Sequence, residues 1–359
     1  MADTFLPFRP TRARAPLRLS FCGGGTDVSP YCDAYGGVAL NATINRYATA
    51  TVVPGGGRFS VRSVDYDATI VCGIEEPFVF DGQLDLPKGV LAHFRRAATT
   101  AQGCDVLLHN DAPPGSGLGS SSAIAVALIN ALAHGFGAGP TLPHDVARLA
   151  WQIERVDVGI LGGRQDQYAA AYGGINFMEF HRDGTAVVTP VCLGREVLLD
   201  LEHALLLVYV GARLSSPILE RQIANVRENV QSSVRAMDSL KALTLDMRQA
   251  LEDGRIRDVG ALLHDAWTSK KQMADGISTP SIDEMYDAAR RAGALGGKIS
   301  GAGGGGYMFF VSDPGKRLHV QNAVRRHGAL PVPFRFVDGG VQVWNPPDDL
   351  VAFTPEHFT

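Results

Sequence analysis

The chain has 359 residues, 45% hydrophobic and 19% charged, with a formal net charge of −4. That balance belongs to a folded globular protein. It gives no general attraction to nucleic acid or to an anionic membrane surface, and no run of about 18 apolar residues is present to cross a bilayer. At this length two domains are expected. The first residues lack the apolar stretch of a secretory signal. The five cysteines (Cys22, Cys32, Cys72, Cys104, Cys192) are scattered, odd in number and never in a CxxC pair, so free thiols in a reducing cytoplasm are expected. The outlier is glycine, with 41 residues, and its clustering carries the information.

In chain order, "LRLSF" at 17–21 alternates and then meets "CGGGTD", which predicts a strand and a glycine turn. Residues 37–53 read as strand material, and "GRFSVRSVDY" and "ATIVCG" add two short strands. Residues 87–100 have helical character. "CDVLLHND" (104–111) is a short strand leading into "PPGSGLGSSSA" (113–123), which runs straight into an apolar helix, 121–134, that ends near Gly135 and Gly137. Residues 142–159 place Val146, Leu149, Ile153 and Val156 at helical spacing. "RQDQYAAAYGG" (164–174) predicts a short helix closed by Gly173. "INFMEF" and "HALLLVYVG" read as strands, 216–293 as a long helical zone, and 296–312 as a second glycine loop feeding a strand. The first half is strand-rich, the second helix-rich, and strands do not alternate regularly with helices. The expected class is therefore α+β, with an N-terminal domain over 1–205 and a C-terminal domain over 206–359.

Three common phosphate signatures fail. GxxxxGK[ST] is broken because Ile299 follows Lys298. "GAGGGG" (301–306) fits GxGxxG, but a strand follows it instead of a helix. "HRDG" (181–184) lacks the later asparagine and the DFG of a protein kinase. The loop 113–123 stands on its own physics. Glycines expose backbone N–H groups, the helix behind adds unpaired N–H groups and a positive dipole end, and Ser120, Ser121 and Ser122 add hydroxyls. Glu154 and Asp166, 12 residues apart across a glycine-containing loop, supply one carboxylate for a metal and one for an acceptor hydroxyl. "KISGAGGGGY" points to close backbone approach to a ligand.

Taken together, "PLRLSFCGGGTD", "PPGSGLGSSSA" and "KISGAGGGG" resemble the three ordered motifs of the GHMP small-molecule kinases and span 18 to 310. The resemblance implies a two-domain fold: a ribosomal protein S5 domain 2-like N-terminal domain and a ferredoxin-like C-terminal domain. It also implies ATP and Mg²⁺. Pro114, Gly115, Ser116, Gly117, Gly119, Ser120, Ser121, Ser122 and Ala123 would cradle the nucleotide phosphates. Ser121 and Glu154 would hold the metal, and Asp166, with Arg18 beside it, would be the catalytic carboxylate. The acceptor would be bound by Gly24, Gly25, Thr26, Asp27, Gly162, Gly163, Gly301, Ala302, Gly303 and Gly304. Ala112 stands where the second motif usually begins with a larger aliphatic residue. Gly24 and Gly25 replace the acidic residue and histidine that galactokinases carry, which leaves room for a larger sugar.

Within the superfamily "RAPLRLSFCGGGTDVSPY", "GGRQDQYAAAYGG" and "GALGGKISGAGGGGY" look most like the kinases of heptose 7-phosphates, which would place the phosphate on the anomeric C1 hydroxyl of D-glycero-D-manno-heptose 7-phosphate for nucleotide-linked heptose and surface glycans. An acceptor that already carries a phosphate needs its own cation. Arg14, Arg46, Arg213, Lys270 and Lys271 are candidates, with Lys271 and Arg14 preferred. A kinase for an unphosphorylated sugar such as fucose shares every motif, and a non-catalytic sensor of nucleotide and sugar is a further alternative. Nothing in the sequence calls for a nucleic-acid or membrane partner or indicates an oligomer.

Overall fold

The computed structural model describes residues 8–97, 103–137, 142–212 and 216–347. The chain runs β1 (Thr11–Cys22), α1 (Tyr31–Tyr35), β2 (Gly37–Pro54), β3 (Arg58–Ser63), β4 (Ala68–Gly73), α2 (Asp85–Ala97), β5 (Cys104–Asn110), α3 (Ser120–Gly135), α4 (Pro143–Trp151), α5 (Gln165–Tyr172), β6 (Ile175–Phe180), β7 (Ala186–Pro190), α6 (Arg195–Ala204) and β8 (Leu205–Tyr209). There follow α7 (Ser216–Arg227), α8 (Gln231–Glu252), α9 (Ile256–Lys271), α10 (Pro280–Arg291), β9 (Ala294–Ile299), β10 (Tyr307–Ser312), α11 (Arg317–Arg326), β11 (Leu330–Pro331) and β12 (Gln342–Trp344).

Two sheets organise these elements. The larger has the path β12-β1-β2-β5-β3-β4, and its long central strand β2 also pairs with β6, which pairs with β7. The smaller is β11-β8-β10-β9. All pairings are antiparallel except β3 with β5. The class is α+β. The second sheet opens at Leu205, but the chain does not stay with it. Phe336 bridges Ile44, and β12 pairs with β1, so residues 342–344 of the 206–359 segment form a strand of the first sheet. An edge strand with a row of open N–H and C=O groups takes any extended segment that reaches it, and no composition shift announces this.

The second half of β1, Leu17 to Cys22, is buried on both faces. α3 covers it, and nearly every α3 residue from Ser122 on is buried, as a helix that is apolar all round requires. Each large side chain so buried, Leu128, Ile129 or Leu132, contributes about 1.5–3 kcal/mol. That anchors both Arg18 on β1 and the glycine loop that enters α3.

The helix expected over 142–159 is α4 followed by a π-helical turn, Gln152–Asp157. The extra residue per turn rotates the register, so Ile153 and Glu154 both turn inward. Val156, expected in the core, lies at the surface, 55% exposed. π-turns of this kind occur often at functional sites. Likewise the strand expected from His203 begins at Leu205, because 203–204 finish α6.

Candidate active site

A cleft of about 560 Å³ is walled by the loop 115–122, by Gly24, Gly25 and Asp27, by Glu154 and 160–166, and by Gly301 and Ala302. Gly115, Gly117 and Gly119 all have positive φ, +72°, +79° and +76°, a conformation that L side chains resist. A Cβ on Gly119 would stand 3.2 Å from Cγ of Asp166, so this glycine lets the loop approach the carboxylate. Of the expected phosphate-loop residues, Gly115, Ser116, Gly117, Gly119, Ser120, Ser121 and Ser122 line the cleft. Pro114 lines an adjoining, more apolar cavity of about 480 Å³ together with Leu86, Leu108, Ile124 and Ile160. Ala123 does not face the cleft: it is buried in the first turn of α3.

Asp166, in the first turn of α5, is held by Arg18. The guanidinium Nε donates to Oδ1 at 2.8 Å and Nη2 lies 2.7 Å from the same oxygen. Nη1 donates to the carbonyl of Gly117 at 2.6 Å and to Oγ of Ser300 at 3.1 Å. One buried arginine therefore ties together the carboxylate, the phosphate-type loop and the end of β9.

Glu154 is fully buried, and its oxygens accept from Ser121 Oγ at 2.8 Å, Ser122 Oγ at 2.7 Å and Gln167 Nε2 at 2.6 Å. Arg155 Nη1 lies 3.3 Å away. The hydroxyl–carboxylate pair Ser121–Glu154 offers hard oxygen donors on the cleft wall, which suit Mg²⁺. Among the described residues no group of three or more His, Cys, Asp or Glu could hold a metal by itself. A cation here would complete its shell from substrate oxygens and water, as Mg²⁺ does.

Asp27 plays a different local part from a plain sugar contact. Its Oδ2 accepts the N–H of Arg164 at 2.8 Å and of Gln165 at 3.0 Å, and its Oδ1 accepts that of Gly25 at 2.9 Å. It satisfies the orphan donors at the start of α5 and so aims Asp166. Gly163 permits this, since a Cβ there would lie 1.9 Å from Asp27 Oδ2. Gly162 leaves space for the Arg155 guanidinium, 2.4 Å from its own notional Cβ. Both line the cleft.

Five expected acceptor residues are elsewhere. Thr26 is buried and turned away, with its hydroxyl donating to the carbonyls of Gly23 and Val38. Gly303 and Gly304 serve packing, because Cβ atoms would meet Ile277 O at 2.7 Å and Ile218 Cδ1 at 2.7 Å. Arg14 lies further back on β1, with Nε donating to Gln342 at 2.8 Å and its guanidinium over the Tyr47 ring. Lys271 pairs with Asp283 at 3.0 Å on the outer face of α9. Of the other cations, Arg46 donates to the Pro333 carbonyl and Arg213 lies outside the described residues. It is Lys270, one residue before Lys271, that lines the cleft, nearly fully buried, its Nζ donating to the Gly24 carbonyl at 2.9 Å.

Gln165, Gln222 and Ser300 are site or supporting residues that the sequence reading did not single out; Ser300 and Gln165 lie inside "KISGAGGGGY" and "RQDQYAAAYGG", whereas Gln222 had no signal. The five cysteines are free thiols, and no helix among the described residues is long and apolar enough to cross a membrane.

Residues 85–174 match the model of the GHMP kinases N terminal domain, and 247–330 that of the GHMP kinases C terminal. A D-glycero-alpha-D-manno-heptose 7-phosphate kinase from Campylobacter jejuni is 34% identical over 93% of this chain and 98% of its own. A crystal structure titled as a D-glycero-D-manno-heptose 1-phosphate kinase from Bacteroides thetaiotaomicron superposes with a TM-score of 0.78 at 34% identity, covering 94% of this chain and 100% of that one. The bifunctional fucokinase/GDP-fucose pyrophosphorylase of Arabidopsis thaliana is 25% identical over 90% of this chain but 32% of that protein.

Proposed function

The chain belongs to the GHMP kinase family and is an ATP-dependent sugar kinase, and from that premise we propose that it phosphorylates the anomeric C1 hydroxyl of D-glycero-D-manno-heptose 7-phosphate. The product would be the 1,7-bisphosphate, an intermediate suited to making GDP-linked heptose for capsule or lipopolysaccharide. The observation that carries this reading is the Arg18–Asp166 pair, set in the same cleft as the left-handed glycine loop and the start of α3.

In this reading the amides of the glycine loop other than those of Ser116 and Leu118, which bond within the loop, and the α3 N-terminus hold the triphosphate, and the adjoining apolar cavity beside Pro114 takes the base. A Mg²⁺ held by Ser121 and Glu154 would offset charge on the phosphate oxygens. Asp166 accepts a hydrogen bond from the C1 hydroxyl and takes its proton as the new P–O bond forms. The bond from the γ-phosphorus to the bridging oxygen breaks and ADP leaves. Phosphoryl transfer asks for positioning and charge neutralisation more than covalent chemistry. Arg18 supplies the positioning: two bonds to one carboxylate oxygen fix Asp166 while the other oxygen stays beside Gly119. The expectation that Gly24 and Gly25 make room for a larger sugar fails: a Cβ there would meet Ser20 Oγ at 2.8 Å and Met273 Cε at 2.4 Å, so these glycines serve close packing of the cleft wall.

The test is ADP release with ATP and Mg²⁺ across phosphorylated and free heptoses and hexoses, L-fucose included. The expected result is a kcat/KM for heptose 7-phosphate well above every other acceptor. A free hexose as the best acceptor would assign the chain to an unphosphorylated sugar, and absence of turnover with all of them would make it a binding protein.

A further inference from the structure

The wall of the cleft opposite the phosphate-type loop is built by the Gly24–Gly25 turn and by side chains reaching across from the helices of the second sheet. Lys270 on α9 donates to the Gly24 carbonyl, and Gln222 on α7 donates to that of Gly25 at 2.9 Å. Both side chains are nearly fully buried, and both line the cleft. Gln165 lines the same wall, and its buried Oε1 has no hydrogen-bond partner. Asp27 is also there, its oxygens engaged by the amides of Gly25, Arg164 and Gln165.

Behind this wall lies Lys298 on β9, wholly buried, its Nζ donating to the Ser20 carbonyl at 2.6 Å. Burial first, and then Lys270, hold its ammonium well below the ordinary lysine range; Cys22 and Arg18 also act on it, and no carboxylate is among these influences. Lys298 is thereby the less disposed of the two to stay charged, and the cation that lines the cleft itself is Lys270, buried where charge is screened poorly. An anion entering the cleft would offset it. A neutral hydroxyl would not.

We propose that this wall binds the anionic group that the acceptor carries away from its reacting hydroxyl, and that Lys270 is the residue that selects phosphorylated over free sugars. The proposal rests on the reading of the site as that of a sugar-phosphate kinase. Arg18–Asp166 and Lys270 line one continuous cavity, so a single acceptor presents its hydroxyl to the first and its phosphate to the second. Gln222 and Gln165 supply amide groups for the hydroxyls between. Lys270 is also placed to act by a charge-assisted hydrogen bond, of the stronger class. Lys271 cannot share the task, since its ammonium lies 3.0 Å from Asp283 and beside the Trp267 ring.

The experiment compares steady-state kinetics for heptose 7-phosphate and the unphosphorylated heptose in the parent, Lys270→Gln, Lys270→Arg and Lys271→Gln. Glutamine keeps a donor for the Gly24 carbonyl and removes the charge. Lys270→Gln should raise KM for the phosphorylated acceptor about 10- to 100-fold and abolish the preference over the free sugar, with KM for ATP unchanged. Lys270→Arg should keep the preference, and Lys271→Gln should match the parent. A Lys270→Gln enzyme with the parent's preference overturns the proposal while leaving the kinase reading intact. A parent with no preference for the phosphorylated acceptor defeats that reading itself, and this inference with it. A measurement on the parent alone stands whether or not the variants fold: glycerol 3-phosphate should inhibit competitively against the acceptor and not against ATP, and competition against ATP alone overturns the proposal.

Discussion

Arg18 and Asp166, 148 residues apart, meet through two contacts to one oxygen, Nε at 2.8 Å and Nη2 at 2.7 Å from Oδ1. β1 brings the guanidinium and the first turn of α5 brings the carboxylate. The arginine is buried while the carboxylate keeps an exposed edge, which is the arrangement for an acid that must stay aimed yet meet a substrate. Asp166→Asn preserves a partner for Arg18 and removes the base. Turnover should fall by about 10²- to 10⁴-fold, with ATP affinity, measured by calorimetry, unchanged. Retained turnover would remove Asp166 from the reaction.

Gly119 tests the loop's backbone. At φ +76°, with a notional Cβ 3.2 Å from Asp166 Cγ, Gly119→Ala meets both left-handed strain, about 1–2 kcal/mol, and a crowded carboxylate. Thermal unfolding should register the first as a lower Tm, and kcat the second as a loss larger than the loss in acceptor KM. Gly137, also left-handed at φ +75° but outside the cleft lining, is the control: Gly137→Ala should lower Tm alone.

Glu154 separates structure from metal. Glu154→Gln keeps one oxygen as an acceptor, leaves an N–H facing the other hydroxyl, which can turn to accept it, and loses the charge, so the Mg²⁺ concentration needed for half-maximal rate should rise about tenfold or more. Glu154→Ala strands Ser122 Oγ and Gln167 Nε2 as buried donors without an acceptor and should in addition cost about 1–3 kcal/mol in urea unfolding. An unchanged Mg²⁺ requirement in both would limit Glu154 to a packing role.

Lys298 gives a pH signature. Burial and Lys270 lower its folded value from 10.5, so between the two values the unfolded chain binds more protons and stability rises with pH. The buried thiols Cys22 and Cys104 are pushed up by burial and act in the opposite sense above their unfolded values, so the comparison must be differential. The stability of Lys298→Met minus that of the parent should be most favourable to the variant near neutrality and shrink as pH climbs toward 10.5. A difference that stays flat with pH would mean that Lys298 is ordinarily protonated in the fold.

The glycine motifs were legible because their chemistry is local. A glycine that must hold positive φ, or a run of amides before an apolar helix, is written in consecutive residues, and the ordered trio of such stretches pointed to the kinase family and to Asp166, Arg18 and Glu154. The choice between neighbours was not legible. Successive helical residues point about 100° apart, so "KK" at 270–271 offers one lysine to the cleft and one to Asp283, and only the packing of α9 on β9 and α8 decides which. Arg14 and Arg18 differ by four strand residues, roughly 13 Å, enough to move one from the cleft to the Tyr47 ring. The π-turn at 152–157 broke the periodicity that placed Val156 inside.

The sequence by itself determined the family, the α+β class, the glycine loops and the choice of Glu154 and Asp166 as candidate carboxylates, since each depends on residue type and near-neighbour spacing. Only the tertiary structure decided that Asp27 caps α5, that residues 342–344 return to β1, and that Lys270 lines the cleft while Lys298 lies buried behind it. Those facts depend on which surfaces of distant elements meet, and burial, unlike backbone preference, is a property of the whole packed chain.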